Sequence, residues 1–325
     1  MKFLITGITG FVGPHLANLL VEEGHEVHGL VRCSNGREND IRDVVSQEIF
    51  GQIVFHYADL KDLYSVENVI GENQFDGVFH LAAQSHPPTS FSDPINTFAD
   101  NVMGSVNLIT CIHKYQKRCK LMYCSTSEVY GDSCKEVGIL KEGQSLIPSN
   151  PYGVSKAAVD LYVQERIRNH FIKGFVTRAF SHTGPRRGYN FSISSDAFQI
   201  AKMVLGLQDK ILLIGNLETQ RVVIDVRDCV RAYYLLMMND SLGSVVYNVC
   251  GSTVHKMSYY TDLLVEASKL EGVERKIHPP FYRPVDIQIQ IGDTTRLVED
   301  TGWKPEIDIK RTMSDLFDYW IRKLS

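Results

Sequence analysis

The chain has 325 residues, 44% of them apolar and 22% charged, with a formal net charge of −4. That composition fills a sizeable core and excludes a disordered chain. A slightly acidic balance offers no general attraction to nucleic acid or an anionic membrane, so basic groups that hold an anionic ligand must be local. The opening MKFLITGITG has an apolar run too short for a signal peptide, and no stretch approaches the roughly 18 apolar residues of a membrane span. A cytoplasmic protein is expected, with neither nucleic acid nor membrane as partner. Cys33, Cys111, Cys119, Cys124, Cys134, Cys229 and Cys250 are odd in number and lack CxxC spacing, which points to free thiols and no metal site.

In chain order, Lys2–Thr6 reads as a strand ending at glycine, followed by Leu16, Leu19 and Leu20 at helical spacing. Strand patterns recur at Glu26–Val31, Ile53–His56, Gly77–Leu81, Leu121–Ser125 and Phe175–Phe180, with a loop at Ser34–Gly36. Helices are predicted over Pro94–Tyr115 and Pro151–Asn169. The alternation predicts an α/β fold, a Rossmann-type doubly wound parallel sheet with helices on both faces. After Phe180 the pattern loosens into a loop rich in Gly, Arg and Ser (Gly184–Ser195), then a helix near Ala197–Leu205. A strand at Val245–Cys250 and a last helix near Arg311–Lys323 follow. The expected division is a dinucleotide-binding domain over 1–180 with a return near 218–250. A smaller mixed α/β C-terminal lobe for substrate takes 181–217 and 251–325.

Gly7-Ile8-Thr9-Gly10-Phe11-Val12-Gly13 follows the first strand and opens a helix. Glycines permit a tight turn and let backbone approach a pyrophosphate, while a helix N-terminus adds free N–H groups and a positive dipole end. The GxxGxxG spacing resembles the short-chain dehydrogenase family. The resemblance implies a dinucleotide held by Gly7, Thr9, Gly10, Phe11, Val12 and Gly13, by Asp59 and Leu60 at the adenine, and by Leu81, Ala82 and Ala83. NAD-preferring members carry an acidic residue at the end of the second strand, where this chain has Val31 and Arg32. A guanidinium suits a 2′-phosphate, so NADP is the implied cofactor; a solvated surface arginine is the alternative.

Tyr152 and Lys156 lie four apart and share a helix face. A nearby ammonium favours phenolate and lowers a tyrosine pKa from about 10, which makes Tyr152 a candidate general base for a sugar hydroxyl. Thr126, Ser127 and Glu128 end the strand between the glycine turn and this pair, where ligand chemistry in open α/β sheets gathers. Thr126 is placed to hydrogen-bond a sugar oxygen beside Tyr152. Glu128 is either a second acid–base group or a charge at a loop edge.

At this point the chain resembles the GDP-mannose 4,6-dehydratase branch of nucleotide-sugar enzymes. The resemblance rests on Gly7–Gly13, Val27–Arg32, His80–His86, Ser90-Phe91, Ser125–Gly131, Pro151–Lys156 and His182–Gly188. It implies oxidation at C4 with Tyr152 taking the O4 proton, removal of the C5 proton by Glu128 with loss of the 6-hydroxyl as water, and reduction at C6. NADP is regenerated each turn and the product is a 4-keto-6-deoxy sugar. It further implies a substrate held by Ser85, Ser181, Arg187, Asn216, Arg221 and Arg283, with Asn101 organising the site. Arg221 and Arg283 each have a structural ion pair as the alternative. Ser181 stands where the family usually has asparagine, which leaves the hexose open.

The rival activities are a GDP-4-keto-6-deoxymannose reductase, which the C-terminal half resembles as strongly, and a UDP-glucuronate decarboxylase or an epimerase. The rival of another class is a non-catalytic NADP-binding sensor on the same fold. The family habit implies a homodimer through the Pro94–Tyr115 and Pro151–Asn169 helices. A tetramer through the Cys33–Gln47 loop is the alternative.

Overall fold

The computed structural model describes residues 1–32, 36–135, 137–281 and 287–325. Seven parallel strands form the central sheet: β1 (Lys2–Thr6), β2 (Glu26–Val31), β3 (Ile53–Tyr57), β4 (Gly77–His80), β5 (Lys120–Thr126), β6 (Lys173–Ala179) and β7 (Val246–Val249). Their order is β7-β6-β5-β4-β1-β2-β3, so the chain reverses its direction of travel between β1 and β4. At such a switch point a crevice opens beyond the strand carboxyl ends, and this sets the site.

The strands are apolar on both faces because both are covered. In β1, Phe3 and Ile5 pack with Leu16 and Leu20 of α1 (Val12–Glu22), while Leu4 faces the other way toward Leu108 and Ile112 of α2 (Gly104–Tyr115). The helices α3 (Pro151–Arg168) and α5 (Val226–Met238) complete the opposite covers. A separate apolar cluster joins α4 (Ser192–Val204), α6 (Met257–Ser268) and α7 (Ile309–Leu324) through Ile200, Leu212, Leu264, Leu316 and Trp320. Strands Ile211–Ile214 and Glu274–Ile277 pair in parallel beside it. No described helix is long and apolar enough to cross a membrane.

The doubly wound parallel sheet is the expected one, and its strands match to within a residue or two. Two helices differ from expectation. The span predicted as one helix over Pro94–Tyr115 carries a wide π turn at Ala99–Met103, between Pro94–Phe98 and α2. There the Asn101 side chain spans the N–H and C=O of Gln84, at 2.7 and 3.0 Å. Single π turns of this kind concentrate at functional sites. Helix α4 begins at Ser192, inside the predicted loop, where Ser194 has tertiary partners. The Ser194 hydroxyl donates to Arg187 O (2.5 Å) and accepts from Trp320 Nε1 (2.9 Å).

Candidate active site

A cavity of about 1130 Å³ opens beyond the carboxyl ends of β1, β4 and β5 and runs into the α4–α6 region. At one end lies the glycine turn. Gly7 has φ +74°, and a Cβ on Gly13 would sit 2.5 Å from Ile8 Cα and 2.6 Å from Gly7 O. No side chain fits at Gly13, so α1 seats directly on the turn, and its first residues Val12 and Gly13 line the cavity.

A buried hydrogen-bond chain connects this turn to the tyrosine. Thr6 Oγ1 and Ser105 Oγ flank His80, at 2.7 and 2.8 Å. Ser105 donates to Asn101 O (2.5 Å), Asn101 Nδ2 donates to Ser155 Oγ (2.9 Å), and Ser155 donates to the carbonyl of Tyr152 (2.7 Å). Burial, with Lys156 nearby, pushes the His80 pKa down to about 3, so the ring is a neutral link at physiological pH.

Asn150 caps α3, accepting from Gly153 N at 2.8 Å, and its Nδ2 donates to Glu128 Oε2 at 2.8 Å. One side chain thus ties the Glu128 carboxylate to the helix turn that carries Tyr152. A Cβ at Gly153 would lie 2.9 Å from Glu128 O, so glycine lets α3 seat directly on this segment. The Thr126 hydroxyl caps the following turn by accepting from Glu128 N (3.2 Å) and also hydrogen-bonds Tyr152.

The expected lowering of Tyr152 by Lys156 is not what these groups alone produce. Burial pushes the phenol well above its usual value, only partly countered by the Thr126 hydrogen bond. Burial likewise lowers Lys156 to about 8, with its ammonium 4.5 Å from the centre of the Tyr123 ring. Desolvation disfavours the charged form of both groups.

Arg187 is half-buried, its guanidinium 3.5 Å from the Phe191 ring centre and 4.8 Å from that of Phe11. Burial lowers its pKa to about 10. The cavity walls bring together Gly7, Gly10, Phe11, Val12, Gly13, Leu81, Ala82, Ala83, Ser85, Thr126, Ser127, Glu128, Tyr152, Lys156, Ser181, Arg187, Asn216 and Arg221. Thr9, Arg32, Asp59 and Leu60 are not among the lining residues. Thr9 presents its carbonyl to Arg186 (3.1 Å), Asp59 accepts from Lys61 N (2.9 Å), and Leu60 O accepts from Asn107 (2.9 Å). Arg32 is exposed and pairs with Asp100 at 3.4 Å, and Lys61 reaches the same carboxylate at 2.9 Å. Arg283 and residues 33–35 of the proposed tetramer loop lie outside the described residues.

Five residues that line the cavity or hold the candidate site residues escaped sequence reasoning. Asn150, Lys61 and Gln290, whose Nε2 donates to Ser127 O (3.2 Å), act across the fold and leave no local signature. His86 bridges to Asn190 O (3.2 Å) and stands edge-on to Phe191. Arg186 sits in a quoted motif, yet nothing in its spacing separates its task from that of Arg187.

The comparisons with known proteins settle the family. The family model described as GDP-mannose 4,6 dehydratase matches residues 4–316. The chain belongs to the GDP-mannose 4,6-dehydratase family. Among its relatives, the GDP-6-deoxy-D-mannose reductase of Pseudomonas aeruginosa is 32% identical over 320 residues, covering 98% of this chain and 97% of that protein. The human GDP-mannose 4,6 dehydratase is 30% identical over 335 residues, 94% of this chain and 87% of its own. Among solved structures, RMD from Pseudomonas aeruginosa complexed with NADPH has a TM-score of 0.81 at 28% identity, covering 99% of this chain and 100% of that one. The Thermotoga maritima UDP-glucose 4-epimerase with UDP-glucose has a TM-score of 0.84 at 26% identity, with both chains fully covered. This family member is therefore an enzyme.

Proposed function

We propose that the protein is an NADP-dependent, cytoplasmic GDP-sugar 4,6-dehydratase. The observation that carries this reading is the Glu128 carboxylate, fixed by Asn150 beside Tyr152 and Thr126. Oxidation at C4 needs only the tyrosine, lysine and hydroxyl. Elimination across C5 and C6 needs a further acid–base group, and this site has one.

The division of labour follows. Residues 1–180, with a return near 218–250, hold the dinucleotide; 181–217 and 251–325 hold the nucleotide-sugar. The turn from Gly7 to Gly13, with no room for a Cβ at Gly13, fits a pyrophosphate. Arg32 and Lys61, now sharing Asp100, are two cations suited to a 2′-phosphate. When bound, the dinucleotide supplies a reversible hydride acceptor and, oxidised, a positively charged ring. Tyr152 takes the proton from the sugar O4, and Lys156, mostly protonated at neutral pH, stabilises the phenolate. Glu128 removes the C5 proton, which the new 4-ketone has acidified, and returns it to the departing 6-hydroxyl. Thr126 orients the O4 region, while Ser127 holds the loop through Gln290. Arg187, walled by Phe11 and Phe191, pairs with the diphosphate, with Arg221 and Asn216 lining the same approach.

Removing a general acid–base group costs about 10²–10⁴-fold in rate. Tyr152→Phe is expected to lose that much turnover while retaining GDP binding. Glu128→Gln is expected to stop release of water, followed by product mass. Full water loss in Glu128→Gln would remove the residue on which the dehydratase reading depends. The second reading is a GDP-4-keto-6-deoxymannose reductase. It is favoured by the 32% identity to the Pseudomonas aeruginosa reductase, and it needs no Glu128.

A further inference from the structure

Gly184-Pro185-Arg186-Arg187 forms a tight turn, closed by Arg187 N donating to Gly184 O at 3.1 Å. Proline at the second position and φ +74° at the third give it the pattern of a type II turn. The third position of that turn favours glycine or asparagine, yet here it carries arginine, in a conformation that side chains with a Cβ rarely adopt. The reason for tolerating that strain lies at the tip of the side chain. Arg186 Nη1 donates to Gly10 O, Nη2 donates to Thr9 O (3.1 Å), and Nε donates to Asp40 O (3.2 Å). The turn is also fastened to α1, where His15 Nε2 lies 2.9 Å from Pro185 O.

Thr9 and Gly10 are the centre of the phosphate turn. In a trans peptide the carbonyl and the following N–H point in opposite directions, and the described chain has no cis bond. The Gly10 carbonyl, held on its far side by the guanidinium, therefore turns the Phe11 N–H toward the cavity that Gly10 and Phe11 line. The preceding plane is pinned twice, by Arg186 on Thr9 O and by Gly10 N donating to Gly7 O (2.9 Å). The third bond, to Asp40 O, adds the segment that follows β2.

We propose that Arg186 is a positioning residue for the dinucleotide: from the substrate-side loop it presets the peptide planes of the phosphate turn that receive the pyrophosphate. Its neighbour Arg187 points the other way, into the cavity. The left-handed turn at Arg186 is what sends adjacent arginines to two different ligands. This inference rests on the glycine turn being a dinucleotide site.

Arg186→Gly is the decisive variant, because glycine adopts the turn freely and only the guanidinium is lost. NADPH affinity, read by nucleotide fluorescence, is expected to fall about tenfold or more. GDP affinity is expected to stay unchanged, and the melting temperature of the ligand-free protein to hold or rise as strain is relieved. Guanidinium ion at non-denaturing concentration should restore NADPH binding to Arg186→Gly and leave wild type unaffected. Unchanged NADPH affinity in the variant overturns the proposal. So does a joint loss of NADPH affinity, GDP affinity and thermal stability, the mark of a residue that only holds the fold. Wild type that binds GDP but no NADPH would sink the dinucleotide reading itself, which separates the two failures.

Discussion

His80 is buried, His182 and His15 are half-buried, and none of the three is charged near neutral pH. Burial lowers their pKa values to about 3, 4 and 4 respectively. In the unfolded chain each would titrate near 6.5. Between that value and about 4 the unfolded state takes up protons that the native state refuses, so stability falls as pH falls through this window. The melting temperature should therefore drop between pH 6.5 and pH 4, and His80→Gln should flatten part of that drop. A flat profile would mean that these rings are protonated in the fold. The same residue scale shows what local motifs reveal. Tyr152, Lys156 and the glycines are legible because their roles follow from spacing along one helix or one turn. Asn150 and Lys61 are not, since they work on Glu128 and Asp100, far away in sequence. The direction of the Tyr152 shift was also out of reach, because it depends on burial rather than on spacing.

At the scale of elements, α3 is held by more than its apolar face. Asp160, one turn beyond Lys156, receives both Nε and Nη2 of Arg178 on β6, at 2.9 and 3.0 Å, and both side chains are almost fully buried. Arg178 also reaches Tyr130 OH and Glu142 O, and Tyr130 continues to Asn248 on β7. Removing one partner of a buried pair leaves the other charge uncompensated, at about 3–5 kcal/mol. Asp160→Asn should lose that much in urea unfolding; a loss below about 1 kcal/mol would show that the network absorbs the charge. Asn150→Ala should cost about 1 kcal/mol as a lost helix cap. It should also lower turnover, because Glu128 loses its tether, and unchanged turnover would separate the cap from the chemistry. Strand and helix periods predicted the sheet well, since both faces are covered and the runs are apolar throughout. They missed the π turn at Ala99–Met103 and the early start of α4, because tertiary bonds to Gln84 and Trp320 decide those.

At the scale of the molecule, the helices flanking the cleft leave apolar side chains outside. Ile95 is 81% exposed, Met103 55% and Leu161 52%, with Phe98 and Val154 also exposed. These exposed apolar side chains lie on the helices expected to pair two copies, and apolar surface left outside in this way suits association. We propose that two copies pair through this face, so Leu161→Glu should be monomeric in light scattering where the wild type is dimeric; an unchanged mass would place the interface elsewhere. A dehydratase and a reductase on this site differ in their net reaction. The most direct measurement is to incubate the purified protein with GDP-mannose and related GDP- and UDP-sugars plus trace NADP, following product mass and nicotinamide absorbance together. The protein is expected to remove one water from a GDP-sugar with no net change in NADPH. No water loss from any sugar, with NADPH consumed on a 4-keto-6-deoxy sugar, would contradict it and establish the reductase instead.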